Sequence, residues 1–132
     1  MGIYRIGQLA KKANVNLETI RYYERRGLLL EPPRNKSGHR QYSIKDLRRT
    51  EFIKRTQSLG FSLQEISDLL SLKLEPDKTC ADVQQRVKSK LIDIEEKIET
   101  LQRMKEVLQR LETNCPGKGP LNECPILETL DK

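Results

Sequence analysis

Apolar residues Ile6, Leu9, Ala10 and Ala13 recur at steps of three, one and three, so residues 4–12 predict a helix with one buried face. Asn14-Val15-Asn16 interrupts that rhythm, and Asn16 is placed to cap a second helix, LETIRYYERRG, whose Ile20 and Tyr23 can face Leu9 and Ala10. Gly27 is placed to end it. Two short helices joined by a three-residue turn read as a helix-turn-helix, with Thr19, Arg21, Tyr22 and Arg25 outward, or equally as an ordinary helical hairpin. The following segment favours the first reading. Pro32-Pro33-Arg34 ends the helical region, Asn35 to Gly38 supply turn residues, and Arg40 and Tyr42 alternate as in a short strand. A hairpin bearing Arg34, Lys36, His39 and Arg40 beside a helix-turn-helix is a wing, positioned to reach phosphates or a neighbouring groove.

Ser43 and Asp46 form a capping box for a helix running to about Leu59, with Leu47, Phe52, Ile53 and Leu59 expected inward and Gly60 as its stop. Ser62 and Glu65 form a second box, opening a helix with Leu63, Ile66, Leu69 and Leu70 inward. Glu75-Pro76-Asp77 breaks the chain, and Thr79 to Asp82 read as the cap of a long helix. Along that helix Val87, Leu91, Ile94, Ile98, Leu101, Leu108 and Leu111 trace a narrow seam of the kind buried in a coiled coil. Residues 80–112 contain neither Gly nor Pro. A loop, TNCPGKGPLNE, and a short final helix, CPILETLDK, follow. There is no internal repeat and no low-complexity segment.

The expected fold class is all-α with a small β wing. Residues 1–74 make a winged helix-turn-helix head with a supporting helix pair, 75–79 a hinge, 80–112 a long antiparallel coiled-coil dimerisation helix, and 113–132 a metal-binding loop with a short C-terminal helix.

Composition sharpens this picture. Hydrophobic content is 36% and aromatic content 5%, with no Trp, which is thin for a self-contained core in 132 residues and suits burial completed in a dimer. Residues 1–60 carry 14 Lys and Arg against 5 Asp and Glu, net +9, whereas residues 61–132 carry 11 against 14, net −3. A basic first half on a mildly acidic second half points to a nucleic-acid-binding head. No apolar run approaches the roughly 20 residues of a membrane-spanning helix. The N-terminal segment shows no leader-type apolar stretch, since Arg5 and Lys11 interrupt it, so a cytoplasmic location without membrane contact is expected.

The candidate chemistry lies in three cysteines, Cys80, Cys115 and Cys124. An odd count in a reducing compartment argues against a disulfide framework. The helix over 80–112 would span roughly 48 Å, and the residues from Glu112 to Cys124 reach back at most about 43 Å. Cys80 therefore should not meet the other two within its own chain; cooperation would require two antiparallel chains. Thiolates bind soft cations, and a helix N-terminus favours the anionic sulfur. Cys80 falls in a first helical turn, and Cys124 precedes Pro125 at the start of the last helix, where backbone amides could face its sulfur. A three-sulfur site lacks the fourth ligand of structural zinc, and calcium and magnesium require oxygen ligands. Iron–sulfur sensing calls for four ligands in most cases. Redox catalysis calls for a close CxxC pair or a Cys beside a His base, and neither occurs; His39 is the only histidine and reads as a wing residue. A thiol scavenger or metal-carrying enzyme with an incidental basic half stands as the competing class.

The stretch YRIGQLAKKANVNLETIRYYERRGLL, followed by Arg34, Arg40 and Tyr42 in an R-x5-R-x-Y pattern, resembles the MerR family of bacterial transcription regulators across essentially the whole chain. The tail CPGKGPLNECPILETL resembles the mercury-responsive branch, with Cys80, Cys115 and Cys124 matching its metal ligands in order and spacing. The resemblance implies a non-enzymatic, homodimeric regulator that binds a palindromic operator in double-stranded promoter DNA. Mercury(II) as effector would occupy sites shared between chains, and the dimer would distort the DNA for RNA polymerase. Lead or cadmium is the alternative effector. Among the residues matching the family pattern, Lys11, Thr19, Arg21, Tyr22, Arg34, Lys36, Arg40 and Tyr42 are the implied DNA contacts.

Overall fold

The computed structural model describes residues 3–132, and the chain divides into two compact units, Met1–Gln85 and Arg86–Lys132. The first unit holds α1 (Ile6–Ala13), α2 (Leu17–Arg25), α3 (Ile44–Ser58), α4 (Leu63–Leu72) and the start of α5 (Cys80–Asn114). The second holds the rest of α5, a 3-10 turn at Leu121–Glu123, and α6 (Pro125–Leu130).

The helix boundaries are set by local chemistry. Asn14 ends α1 in the left-handed region at φ 56, a conformation Asn tolerates better than most residues, and the Val15 amide closes back on the Ala10 carbonyl at 3.0 Å. Asn16 Oδ1 then accepts the Thr19 amide at 2.8 Å and opens α2. Both expected capping boxes form: Asp46 accepts the Ser43 amide at 2.7 Å, and Glu65 accepts the Ser62 amide at 2.7 Å. Thr79 and Asp82 do the same for α5, with the Thr79 amide donating to Asp82 at 2.8 Å. The stretch between α4 and α5 is non-helical, and the division between compact units falls within α5 after Gln85.

One core holds the head together. Leu9, Ala10, Ile20, Tyr23, Leu28, Leu29, Tyr42, Ile53, Leu63, Ile66 and Leu70 form a single buried cluster drawn from α1, α2, the wing, α3 and α4. Each fully buried Leu or Ile contributes about 1.5–3 kcal/mol. Polar ties fix the packing: Tyr23 Oη donates to Gln57 at 2.7 Å, Arg49 Nε to the Leu28 carbonyl at 3.1 Å, and Lys54 Nζ to the Asn14 carbonyl at 2.8 Å. The last bond anchors the helix-turn-helix turn itself to α3.

The β content is minimal. The wing is an antiparallel bridge between Arg34 and Arg40, with Asn35 Oδ1 accepting from the Ser37 and His39 amides and Gly38 at φ 83. A second bridge, Tyr4 to Tyr42, ties the chain start to the wing through two 2.7 Å backbone bonds.

Three expectations are corrected. Leu59 is 65% exposed, because it falls at the C-cap of α3, beyond the regular turns that face the core. The long helix ends at Asn114 rather than Glu112, since its first obstacle is Pro116, which disfavours helical geometry at Cys115. Tyr42, expected on the DNA-facing surface, is 1% exposed and belongs to the core.

Candidate nucleic-acid interface and thiol groups

The exposed side of α2 and the wing carry the basic residues singled out from the sequence. Arg21 is exposed on α2 and pairs with Glu18 one turn back at 3.0 Å. Tyr22, 40% exposed, has the guanidinium carbons of Arg25 and Arg26 5.8 and 5.9 Å from its ring centroid. Thr19 is half-buried, and its hydroxyl donates to Asn16 Oδ1 at 3.0 Å, so part of its polar capacity is committed to the helix cap. Lys11 is exposed in the last turn of α1, and Lys36 is exposed at the wing turn.

The wing arginines are held in place. Arg34 Nη1 donates to the Gly38 carbonyl at 2.8 Å, closing the hairpin with its own side chain, and Arg34 Nη2 is 3.4 Å from Glu31. Arg40 is more enclosed: its Nη1 meets Glu24 at 2.9 Å and its Nη2 meets Glu31 at 3.4 Å. Tyr42 Oη also donates to Glu24, at 3.2 and 3.3 Å to the two carboxylate oxygens. Glu24 of α2 thus gathers two wing side chains spaced two residues apart and fixes the wing against α2. The alternation expected for Arg40 and Tyr42 holds, but the shared face turns toward α2. The neighbouring Tyr42 hydroxyl, then the carboxylates of Glu24 and Glu31, push the Arg40 pKa up further, keeping it charged. Burial pushes the Tyr42 phenol above its ordinary range, with the Arg40 bond opposing and Glu24 reinforcing the rise. Tyr23 rises through burial.

Arg5, Arg21, Arg34, His39 and Arg40 line one open depression of about 400 Å3 together with Ile6 and Gly38. Arg5 and the carboxylates of Glu24 and Glu31 are the residues that sequence reasoning missed here. Arg5 precedes α1 in a position that reads only as a helix flank, and Glu24 lies 16 residues from Arg40, beyond any local pattern.

All three thiols are free: Cys80 exposed, Cys115 and Cys124 half-buried. Cys80 opens α5, Cys115 follows its last residue, and Cys124 caps α6. The Cys124 sulfur accepts no cap bond, and Pro125 at the first position of α6 supplies no N–H. Among the described residues no three His, Cys, Asp or Glu side chains of the chain gather into a metal-holding group. The donor set is soft sulfur, chemistry that suits a thiophilic ion. No described helix is long and apolar enough to cross a membrane.

Two family descriptions match: "MerR HTH family regulatory protein" over residues 4–73 and "MerR, DNA binding" over residues 47–111. The mercuric resistance operon regulatory protein of Bacillus cereus is 47% identical over 129 residues, covering 98% of each chain. The transcriptional regulator MerR from Bacillus megaterium, solved in complex with mercury(II), is 43% identical with a TM-score of 0.75, covering 98% of this chain and 100% of that one. The regulator PbrR691 from Ralstonia metallidurans, solved in complex with lead(II), is 35% identical with a TM-score of 0.84, covering 96% and 98%.

Proposed function

Since this chain belongs to the MerR family of HTH regulatory proteins, we propose that it is the sensor of a mercury-resistance response, with Hg(II) as its effector. It is a metal-responsive transcription regulator and not an enzyme. The observation that carries the finer reading is the thiol set: three free cysteines at the two ends of a helix unbroken from Cys80 to Asn114 and at the start of α6. In this reading Cys80 of one protomer would join the partner subunit's Cys115 and the partner subunit's Cys124. Hg(II) would supply a strong bridge between thiolates of the two chains, and a two-fold dimer would hold two such sites.

The remaining residues have separate tasks. The exposed apolar stripe of α5, with Leu91, Ile98, Leu101 and Leu108 each at least half exposed, supports pairing with a second copy through the coil. Two heads related by that pairing would set α2 of each protomer into successive major grooves of promoter DNA, with Arg34, Lys36 and the wing on the phosphates. Glu24 and Tyr42 would hold Arg40 and the wing against α2, so that a movement of the head is transmitted as a rigid body. Effector binding shifts a dimer equilibrium only through its differential affinity for two states, and the bound DNA then deforms to suit RNA polymerase. Such a protein acts in the cytoplasm.

Lead(II) is the second reading, favoured by the likeness to the lead-bound PbrR691 structure. Titration with Hg(II), lead(II) and cadmium(II) against a competing small thiol, followed by ultraviolet sulfur-to-metal absorption, separates the two. Mercury is expected to saturate one site per chain under competition that strips the other metals. Tighter retention of lead or cadmium would overturn the mercury assignment while leaving the regulator class intact.

A further inference from the structure

The depression between α1, α2 and the wing has an uneven charge balance. Of its four arginines, Arg21 is paired with Glu18 at 3.0 Å, Arg34 with Glu31 at 3.4 Å, and Arg40 with Glu24 at 2.9 Å and Glu31 at 3.4 Å. Arg34 spends a further N–H on the Gly38 carbonyl. Arg5 is different. Its backbone N–H donates to Gln8 Oε1 at 2.9 Å, which fixes the start of α1, but among the described residues its guanidinium has no hydrogen-bond or ion-pair partner. His39, on the wing, lines the same depression. The site is therefore walled by paired cations whose carboxylates offset their charge, with one unpaired planar guanidinium projecting from the exposed N-terminal flank.

We propose that Arg5 is a DNA-backbone ligand of this regulator, donating from its unpaired guanidinium to a phosphodiester seated in the depression between the recognition helix and the wing. The inference rests on the reading of this face as the DNA interface. A guanidinium matches a phosphate in geometry, with parallel N–H donors for two oxygens, and an unpaired one gives up only water on binding. Arg21, Arg34 and Arg40 each already have part of their charge offset by a carboxylate. Arg5 thus supplies the excess positive charge that the pairs around it lack. Because it touches backbone and not base edges, its contribution is the same for every sequence.

The test is the salt dependence of binding by Arg5→Gln and Arg5→Lys, measured by fluorescence anisotropy. One labelled duplex is the promoter fragment preceding the regulator's own gene, and the other is a scrambled duplex of equal length. Losing one phosphate contact per chain is expected to lower the magnitude of the log K against log salt slope by about 0.9 per chain, near two per dimer. Arg5→Gln should weaken both duplexes by the same factor, leave their ratio unchanged, and melt with the wild type because Arg5 is exposed. Arg5→Lys should retain most of the slope. An unchanged slope in Arg5→Gln, or a loss confined to the promoter duplex, overturns the assignment. Saturable calorimetric binding of inorganic phosphate by the free wild type, lost in Arg5→Gln, would make this a free-anion site and also overturn it. Wild-type failure to bind either duplex would sink the DNA reading itself, a result distinct from a normal wild type beside an unaltered variant.

Discussion

Replacing Glu24 by alanine tests how the wing is fixed to α2. The Glu24 side chain is 10% exposed and accepts from Arg40 at 2.9 Å and from Tyr42 at 3.2 Å. A hydrogen bond to a charged partner contributes about 1.5–3 kcal/mol, and a buried hydroxyl left without a partner costs about 1–3 kcal/mol. Arg40 keeps 30% of its side chain in water and retains Glu31 at 3.4 Å, so the penalty of about 3–5 kcal/mol for orphaning a fully buried charge does not apply. Glu24→Ala should therefore destabilise the protein by about 2–4 kcal/mol, and Glu24→Gln, which keeps an acceptor, by about 1 kcal/mol. Urea unfolding at fixed protein concentration is the assay, because stability in an oligomer depends on concentration. Tyr42→Phe removes only the hydroxyl, and its double-mutant cycle with Glu24→Ala should give a coupling of about 1 kcal/mol. A Glu24→Ala effect under about 0.5 kcal/mol, or strict additivity with Tyr42→Phe, would refute the latch.

The thiols, the phenols and the coil supply the remaining predictions. Cys80→Ser, Cys115→Ser and Cys124→Ser should each abolish induction in a metal-dependent transcription assay while leaving gel-shift binding to promoter DNA nearly intact; lost DNA binding would make the cysteines structural. Because Tyr23 and Tyr42 are raised in the fold, the unfolded chain ionises first as pH climbs past about 10. Their contribution is therefore full below pH about 10 and falls above it, and Tyr42→Phe should flatten that alkaline decline in urea-unfolding measurements. An identical decline in the variant would contradict the assignment. Leu101→Glu, at a position 61% exposed on the coil stripe, should give a monomer by sedimentation; a persisting dimer would place the interface elsewhere.

The sequence displays interactions that are local and hides those that are not. Asn16, Ser43 and Ser62 were readable as caps because their partners lie three residues away, and the capping geometry formed as the spacing implied. The two-residue alternation of Arg40 and Tyr42 was also legible, but not which way the shared face turns. That choice depends on Glu24, which only the tertiary fold brings near. The role of Arg5 is hidden in the sequence for a related reason. Its availability follows from the carboxylates that occupy its neighbours, and a charge count along the chain cannot show that pairing. The position of Cys115 just beyond α5 was accessible in principle, since Pro116 sets the helix limit.

Mixed dimers give the most direct test of a shared thiol site. One protomer carries Cys80→Ser; its partner carries Cys115→Ser together with Cys124→Ser. Neither parent homodimer retains a complete set, whereas the heterodimer regains one set only if ligands come from both chains. Isolated heterodimer should bind a single Hg(II) with the trithiolate absorption of the wild type at half its intensity. A heterodimer with no such absorption would contradict the shared site.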